Sequence, residues 1–296
     1  MRYSRHRRSW FLVWALAALP ILVWVGCSDE PSTPTGPQNP GFGECGDATI
    51  FSPRDFSNPT VIDNRFFPLA PGKQFILDGT ANRGGGTLAH RVVFTVTDLT
   101  KEIDGVRSVV MWDRDYNNGV LVEAELAFFA QDDDGNIWTM GEYPEEYFEG
   151  EFLGAPSAWI SGRKGSEAGI LVTENAPVGT KFLQGWAPDV NFLDCAFVYQ
   201  EGQTACVPFN CYENVLVIDE RSPYEVGSGH QRKYYAPGVG VVLVGAVDDP
   251  EGEKLELINI LELNEQEMAD ARAAALKLEA RAYEVSDAYR RTKRMQ

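Results

Sequence analysis

Between Val61 and Leu263 the sequence alternates. Val92, Phe94 and Val96 take turns with Val93, Thr95 and Thr97. Val120, Val122, Ala124, Leu126 and Phe128 share one face of a stretch whose other face carries Glu123 and Glu125. Leu255, Leu257, Asn259, Leu261 and Leu263 alternate with Glu256, Ile258, Ile260 and Glu262. Successive residues of a strand point to opposite sides, so this period of two predicts antiparallel strands with one face in a core and a polar outer face. The pairs Asp104-Gly105, Asn118-Gly119, Asp134-Gly135 and Glu201-Gly202 punctuate the strands. Such pairs supply the positive φ angles of tight hairpins. The expectation is a mainly β domain over residues 58–263. It would be a single curved antiparallel sheet or a partly open barrel or meander, with roughly ten strands. Helical stretches do not interrupt it, which argues against a βαβ fold.

Residues 264–296 change period. Asn264 and Glu267 form a capping box at the end of the last strand. Met268, Ala271, Ala275, Leu278, Ala282, Val285 and Tyr289 then recur at spacings of three and four, one stripe of an amphipathic helix. The stripe is read as folding back on its own sheet. A partner helix or a second copy of this one is the competing occupant, with Leu278, Val285 and Tyr289 as the candidate contacts.

The first 26 residues read as an export signal. "MRYSRHRRSW" carries four arginines and no acid, and Phe11 to Val25 is apolar apart from Pro20. The run is short for a membrane span. It ends at Gly26-Cys27, which resembles the lipobox of bacterial lipoproteins; Trp24 stands three before the cysteine, where that motif usually has leucine. The resemblance implies that Cys27 is acylated and becomes the first residue, placing the chain in the bacterial cell envelope, on the exported side of the membrane that anchors it. Residues 27–57 form a tether, with prolines at 31, 34, 37 and 40.

The charge balance agrees with a lipid rather than an electrostatic attachment. Residues 1–26 hold four of the 26 basic residues and none of the 43 acidic ones, so the chain after Gly26 carries 22 basic against 43 acidic residues. Such a surface repels nucleic acid and anionic headgroups. Cys45, Cys195, Cys206 and Cys211 remain, an even set in an exported chain, which predicts two disulfides. Cys206 faces Cys211 if "VPFN" is a hairpin loop, whereas Cys195 faces Cys206 if a hairpin turns at Gln200-Glu201.

Catalytic motifs do not emerge. After the signal only His90 and His230 are left, and GxSxG, HExxH and P-loop patterns are missing. "GEYPEEYFEGEF" (Gly141 to Phe152) could supply two carboxylates for glycan hydrolysis. "DRDYNNG" and "DDDGN" space oxygens as calcium loops do, with Asp113, Asp115, Asp132 and Asp134 as weak ligands. The EF-hand pattern nevertheless needs a glutamate at its twelfth position, where Ala124 and Tyr143 stand. No cofactor is expected beyond that calcium. The aromatic supply is richer. Trp112, Trp138, Trp159, Trp186, Tyr234 and Tyr235 sit on or beside predicted strands and are the candidates for lining an apolar ligand site.

"IDNRFFPLAPGKQFILDG" (Ile62 to Gly79), "AQDDDGNIWTMGE" (Ala130 to Glu142) and "KYYAPGVGVVLV" (Lys233 to Val244) together resemble an uncharacterised group of bacterial secreted proteins and lipoproteins. Its members share motifs like NPxFPLxPG, AQDxxGNxW and YYAPGVGxV in that order. The resemblance implies no activity and no catalytic residue. At the fold level the chain is similar to the half-barrel β lipoproteins that carry lipids between bacterial membranes. The resulting expectation is a lipid-anchored envelope protein that binds an apolar small molecule or a partner protein without catalysis. A glycan-acting enzyme or module is the alternative, and a structural subunit docking through its terminal helix is the third reading.

Overall fold

The computed structural model of the protein describes residues 45–46, 50–225 and 227–296. The export signal, Cys27 and most of the tether lie outside the described residues. Fourteen strands follow one another: β1 (Lys73–Asn82), β2 (Thr87–Ile103), β3 (Val106–Asn117), β4 (Val120–Gln131), β5 (Ile137–Phe148), β6 (Glu151–Gly154) and β7 (Trp159–Ile160), then β8 (Glu167–Val172), β9 (Lys181–Ala187), β10 (Phe192–Cys206), β11 (Cys211–Arg221), β12 (His230–Ala236), β13 (Gly240–Val247) and β14 (Lys254–Glu262). Among the described residues one α-helix, α1 (Glu265–Val285), comes last.

The sheet is closed, not an open sheet or partly open meander of about ten strands. Its order is β4-β3-β2-β1-β14-β13-β12-β11-β10-β9-β8-β5, and β5 pairs back onto β4, giving an antiparallel barrel of twelve strands. β6 and β7 hang from β5 outside the ring. Closure rests on two pairings between strands remote in sequence, β1 with β14 and β5 with β8. Local turn signals carry no information on either.

The turn pairs behave unequally. Asn118 and Gly119 have φ of 49° and 79°, the left-handed pair of a tight hairpin. Glu201-Gly202 makes no hairpin. β10 runs straight through it to Cys206, and Gly202, at φ 65°, absorbs an irregularity in the register with β11. Cys206 therefore pairs with Cys211 across the β10–β11 turn, and Cys45 with Cys195, 150 residues away.

Two core layers result. The inner face of the barrel carries Glu123, Glu125, Ala127 and Phe129 of β4. Ala124, Leu126 and Phe128 face outward and are buried beneath α1. Asn264 caps the helix through its side chain, which accepts from the backbone of Gln266 and Glu267. Ala271, Ala275, Leu278 and Ala282 then turn inward onto the barrel wall. The helix stops at Val285, which is exposed, four residues short of the predicted end of the stripe. The chain then folds back, placing the fully buried Tyr289 against Tyr143 and Phe128, with ring centroids 5.5 and 6.1 Å apart. Leu278 and Tyr289 are thus taken up by the chain's own barrel.

Candidate functional site: the barrel interior

Because neighbouring strands alternate in direction, the loop residues 83–86, 118–119, 222–225, 227–229 and 248–253 gather at one end, here the upper. The lower end is plugged. Asn64 Oδ1 accepts from the backbone N–H of Phe66 (2.8 Å) and Phe67 (3.0 Å), a tight local turn that sets Phe67 under the barrel. Phe67 packs edge-on against Phe129 and Tyr235, with centroids 5.5 and 6.1 Å away. Gln131 Oε1 accepts from Asp63 N and Asn64 N, Asn64 Nδ2 donates to Gly135 O, and Gly238 N donates to Arg65 O. These contacts tie the plug to the β4–β5 and β12–β13 turns. The three stretches that resemble the secreted-protein group thus meet in one place, the floor.

Above the floor lies a cavity of 430 Å³ that reaches the upper loops. Its lower wall is apolar: Phe75, Phe94, Met111, Phe129, Leu171 and Val241. Higher up, the wall turns acidic. β3 and β4 face each other there with Asp113 opposite Glu125 and Asp115 opposite Glu123. Glu142 and Asp194 continue the arc on β5 and β10, and Glu225, Asp249, Glu251 and Glu253 follow at the upper loops.

Some of these acids are answered. Lys233 Nζ pairs with Glu220 Oε2 at 2.6 Å, and Arg83 with Glu251. His90, almost fully buried, sets Nε2 3.1 Å from Glu253 and 3.8 Å from Asp115, while Asn117 holds its Nδ1 at 2.9 Å. Trp159 Nε1 donates to Glu142 at 3.2 Å. That indole stacks on Phe192 at 5.2 Å, in space left because Gly185 has no Cβ; one there would lie 3.0 Å from both rings.

Burial pushes the Glu125 carboxyl well above its usual range, and Glu142, Glu123, Asp113 and Asp115 push it the same way. Burial likewise raises Asp194, with Glu142 and Glu220 adding to the shift and Lys233 opposing it. Burial raises Glu142 as well, against the pull of Trp159 and Lys233. At the upper loops burial and Asp249 push Glu225 up to about 7. Lys233 answers the same field: burial lowers it, yet Glu220, Asp194 and Glu142 outweigh that and hold it above its usual value.

No family model matches the chain, and no curated protein does. Among solved structures it is similar to a Bacteroides fragilis protein assigned to export, with a YmcC-like fold. The identity is 14%, over 67% of this chain and 99% of that one, with a TM-score of 0.35. It is also similar to a Parabacteroides distasonis protein assigned as a lipoprotein, at 13% identity over the same shares and a TM-score of 0.31. Neither likeness is close enough to carry a residue or an activity across.

Of the aromatic candidates, Tyr235 lines the cavity and Trp159 stands just behind it. Trp112 and Tyr234 belong to the outer face, where Arg114 lies 3.9 Å over the Trp112 ring. Trp138 is covered by Phe51 and Phe56, and Trp186 packs beside the Cys45–Cys195 bridge. Asp113 and Asp115 sit on β3 rather than in a turn, and face the interior. Asp132 is bound locally, accepting from Asp134 N, Asn136 N and Trp138 Nε1. Among the described residues no group of three or more His, Cys, Asp or Glu side chains is placed to hold a metal ion. In "GEYPEEYFEGEF", Glu145 is fully buried under α1 on Tyr143 and Arg281, while Glu142 points inside the barrel.

Of the interior carboxylates, Glu123 and Glu125 escaped notice in the sequence because they look like a solvated face. The signal that could have found them is Asp113 and Asp115 at the same period on the preceding strand, opposite a face too apolar to be solvent.

Proposed function

We propose that this protein is a non-catalytic binding protein of the bacterial envelope, held to its membrane by lipid on Cys27, with the barrel interior as the ligand site. The observation that carries the reading is the 430 Å³ cavity inside a closed barrel, floored by Phe67, Phe129 and Tyr235 and reaching the upper loops. Small-molecule sites are concave, mostly preformed chambers of roughly 300–1,000 Å³ with an apolar wall and a few placed polar groups. The glycan-acting alternative gains no support, because the two buried or lining carboxylates of its candidate segment part company: Glu142 points into the interior and Glu145 into the helix interface. Native mass spectrometry of the full chain, released gently from its own membranes, tests the proposal. A discrete extra mass that denaturation removes is the expected result. A chain carrying only its acyl groups would overturn the reading.

A further inference from the structure

The barrel wall is uneven around its circumference. β1 and β14 pair along residues 73–80 and 254–262. β13 and β14 pair only over residues 243–245 and 254–256, with Ala246 N donating to Glu253 O above them. Below that, Gly240 and Val241 keep their partners on β12 while β14 from Leu257 onward keeps β1, so the two strands part in a seam.

The β10–β11 hairpin lies across this seam as a strap. Phe209 N, at its tip, donates to Leu257 O at 3.1 Å, beyond the point where β13 stops pairing with β14. To reach β14 from β11 the tip must pass over β12 and β13. Ala205 and Val215 of the hairpin accordingly bury in one apolar cluster with Ala236, Val242 and Leu257. Ala236 and Val242 are fully buried although neither lines the cavity, because the strap covers them. The strap also has a hinge. Gly202 on β10 and Asn214 on β11 have φ of 65° and 56°, each next to the Gln203–Val215 pair, so both strands bend at one level. Cys206–Cys211 closes the tip into a single unit. Among the described residues, the backbone tie from this tip to β14 is the Phe209 bond alone.

Behind the seam lies the apolar part of the cavity, lined there by Val239, Gly240 and Val241, by Leu255 of β14 and by Phe75 of β1. The way in from the upper loops instead passes Asp115, Glu123, Glu251 and Glu253. An apolar molecule entering there must strip water from carboxyl groups, which is costly. We infer that the ligand enters and leaves the barrel sideways, through the β13–β14 seam, with the β10–β11 hairpin as the strap that opens and closes it. The inference rests on the binding reading above and names the class of ligand, a neutral apolar molecule.

The test uses N-phenyl-1-naphthylamine, a neutral apolar fluorophore, on the full-length chain in a non-ionic maltoside detergent. Stopped-flow energy transfer from the protein's tryptophans follows its entry and exit. A strap of this kind governs both rates and leaves the affinity alone. Cys206→Ser/Cys211→Ser is expected to quicken entry and exit by roughly tenfold each, with Kd within about threefold. Glu279→Ala, which strands buried Lys101 on the α1 side of the wall, is expected to leave both rates within about threefold. If the double variant fails to fold, mild reduction of the parent takes its place, because Cys206 and Cys211 are exposed whereas Cys45 and Cys195 are buried. Without probe, amide exchange over residues 203–215 and 257–262 should quicken roughly tenfold when the bridge is opened, while that over residues 87–103 stays as it was. Entry and exit that ignore the bridge, or that respond equally to Glu279→Ala, would overturn the sideways route while leaving the binding reading standing. Exchange that quickens in every strand would overturn it too, since the whole barrel would then have loosened. If the probe does not bind, the inference falls, and the probe-free mass measurement decides the binding reading separately.

Discussion

Asp113 and Glu125 stand directly opposite each other across β3 and β4, both on the inside of the barrel. Only one step along, Asp115 and Glu123 repeat the relationship. Cross-strand neighbours of like charge cost stability, and here burial deepens the cost. Glu125→Gln removes one titrating carboxyl from this patch while keeping its shape. We expect it to stabilise the empty protein near neutral pH by about 1 kcal/mol, about 2–4 °C in Tm for a chain of this size. Burial and then its acidic neighbours raise the Glu125 carboxyl in the folded chain, so the folded state holds its proton where the unfolded state has lost it. The gain should therefore shrink toward pH 5, and calorimetry of both proteins at the two pH values checks it. A Glu125→Gln protein less stable than the parent at neutral pH would show that the carboxylate is internally compensated.

The upper loops give a pH dependence of their own. Burial and Asp249 push Glu225 from 4.5 up to about 7. Because the folded value is the higher one, its contribution to stability is fully present below pH 4.5 and is lost as pH rises through 7. The parent is expected to lose Tm between pH 5 and 7.5, with Glu225→Gln flattening that slope. Thermal unfolding across the interval in both proteins is the measurement, and equal slopes would count against the assignment.

The two disulfides should differ in weight. In the chain-entropy account a bridge stabilises more when it closes a longer loop. Cys45–Cys195 spans 150 residues and Cys206–Cys211 only 5. Replacing Cys45 and Cys195 by alanine is expected to cost about 3–5 kcal/mol in urea unfolding, against about 2 kcal/mol for the hairpin bridge. Equal losses would put the effect in local packing.

The strands, their antiparallel order and the capped helix were legible because alternation and capping are local properties of the sequence. Barrel closure was not, since β1–β14 and β5–β8 pair across long stretches of chain. The inversion on β4 has a physical cause. A barrel with a helix laid over it has two buried layers, so Leu126 and Phe128 are core residues that face outward while Glu123 and Glu125 face inward. Periodicity separates two faces of a strand but cannot say which one is inside. The tryptophans misled for the same reason: Trp112, Trp138 and Trp186 fill outer layers, and much of the aromatic floor is built by Phe67 from a segment outside the sheet.

One buried ion pair helps to hold the fold-back of the last residues. Lys101 Nζ meets Glu279 Oε1 at 3.0 Å, Tyr283 Oη at 3.3 Å and the Lys293 carbonyl at 2.6 Å, and lies 4.1 Å over the Tyr289 ring. Glu279 Oε1 also accepts from Met295 N at 2.8 Å, so one carboxylate fastens both the lysine and the tail. Burial lowers Lys101 to about 8, with Glu279 holding it from falling further. Removing one member of a buried pair strands the other charge, which typically costs about 3–5 kcal/mol. Glu279→Ala is expected to destabilise by about that much in urea, and Lys101→Met/Glu279→Leu to recover most of it, because an apolar pair leaves no charge behind. The sign with pH follows from the lysine. Its folded value lies below the unfolded 10.5, so the cost of burying its charge fades as pH climbs from about 8 toward 10.5. The gap between Glu279→Ala and the double variant should narrow over that range. A gap that stays constant would mean that Glu279 acts through Met295 and Tyr289 rather than through Lys101.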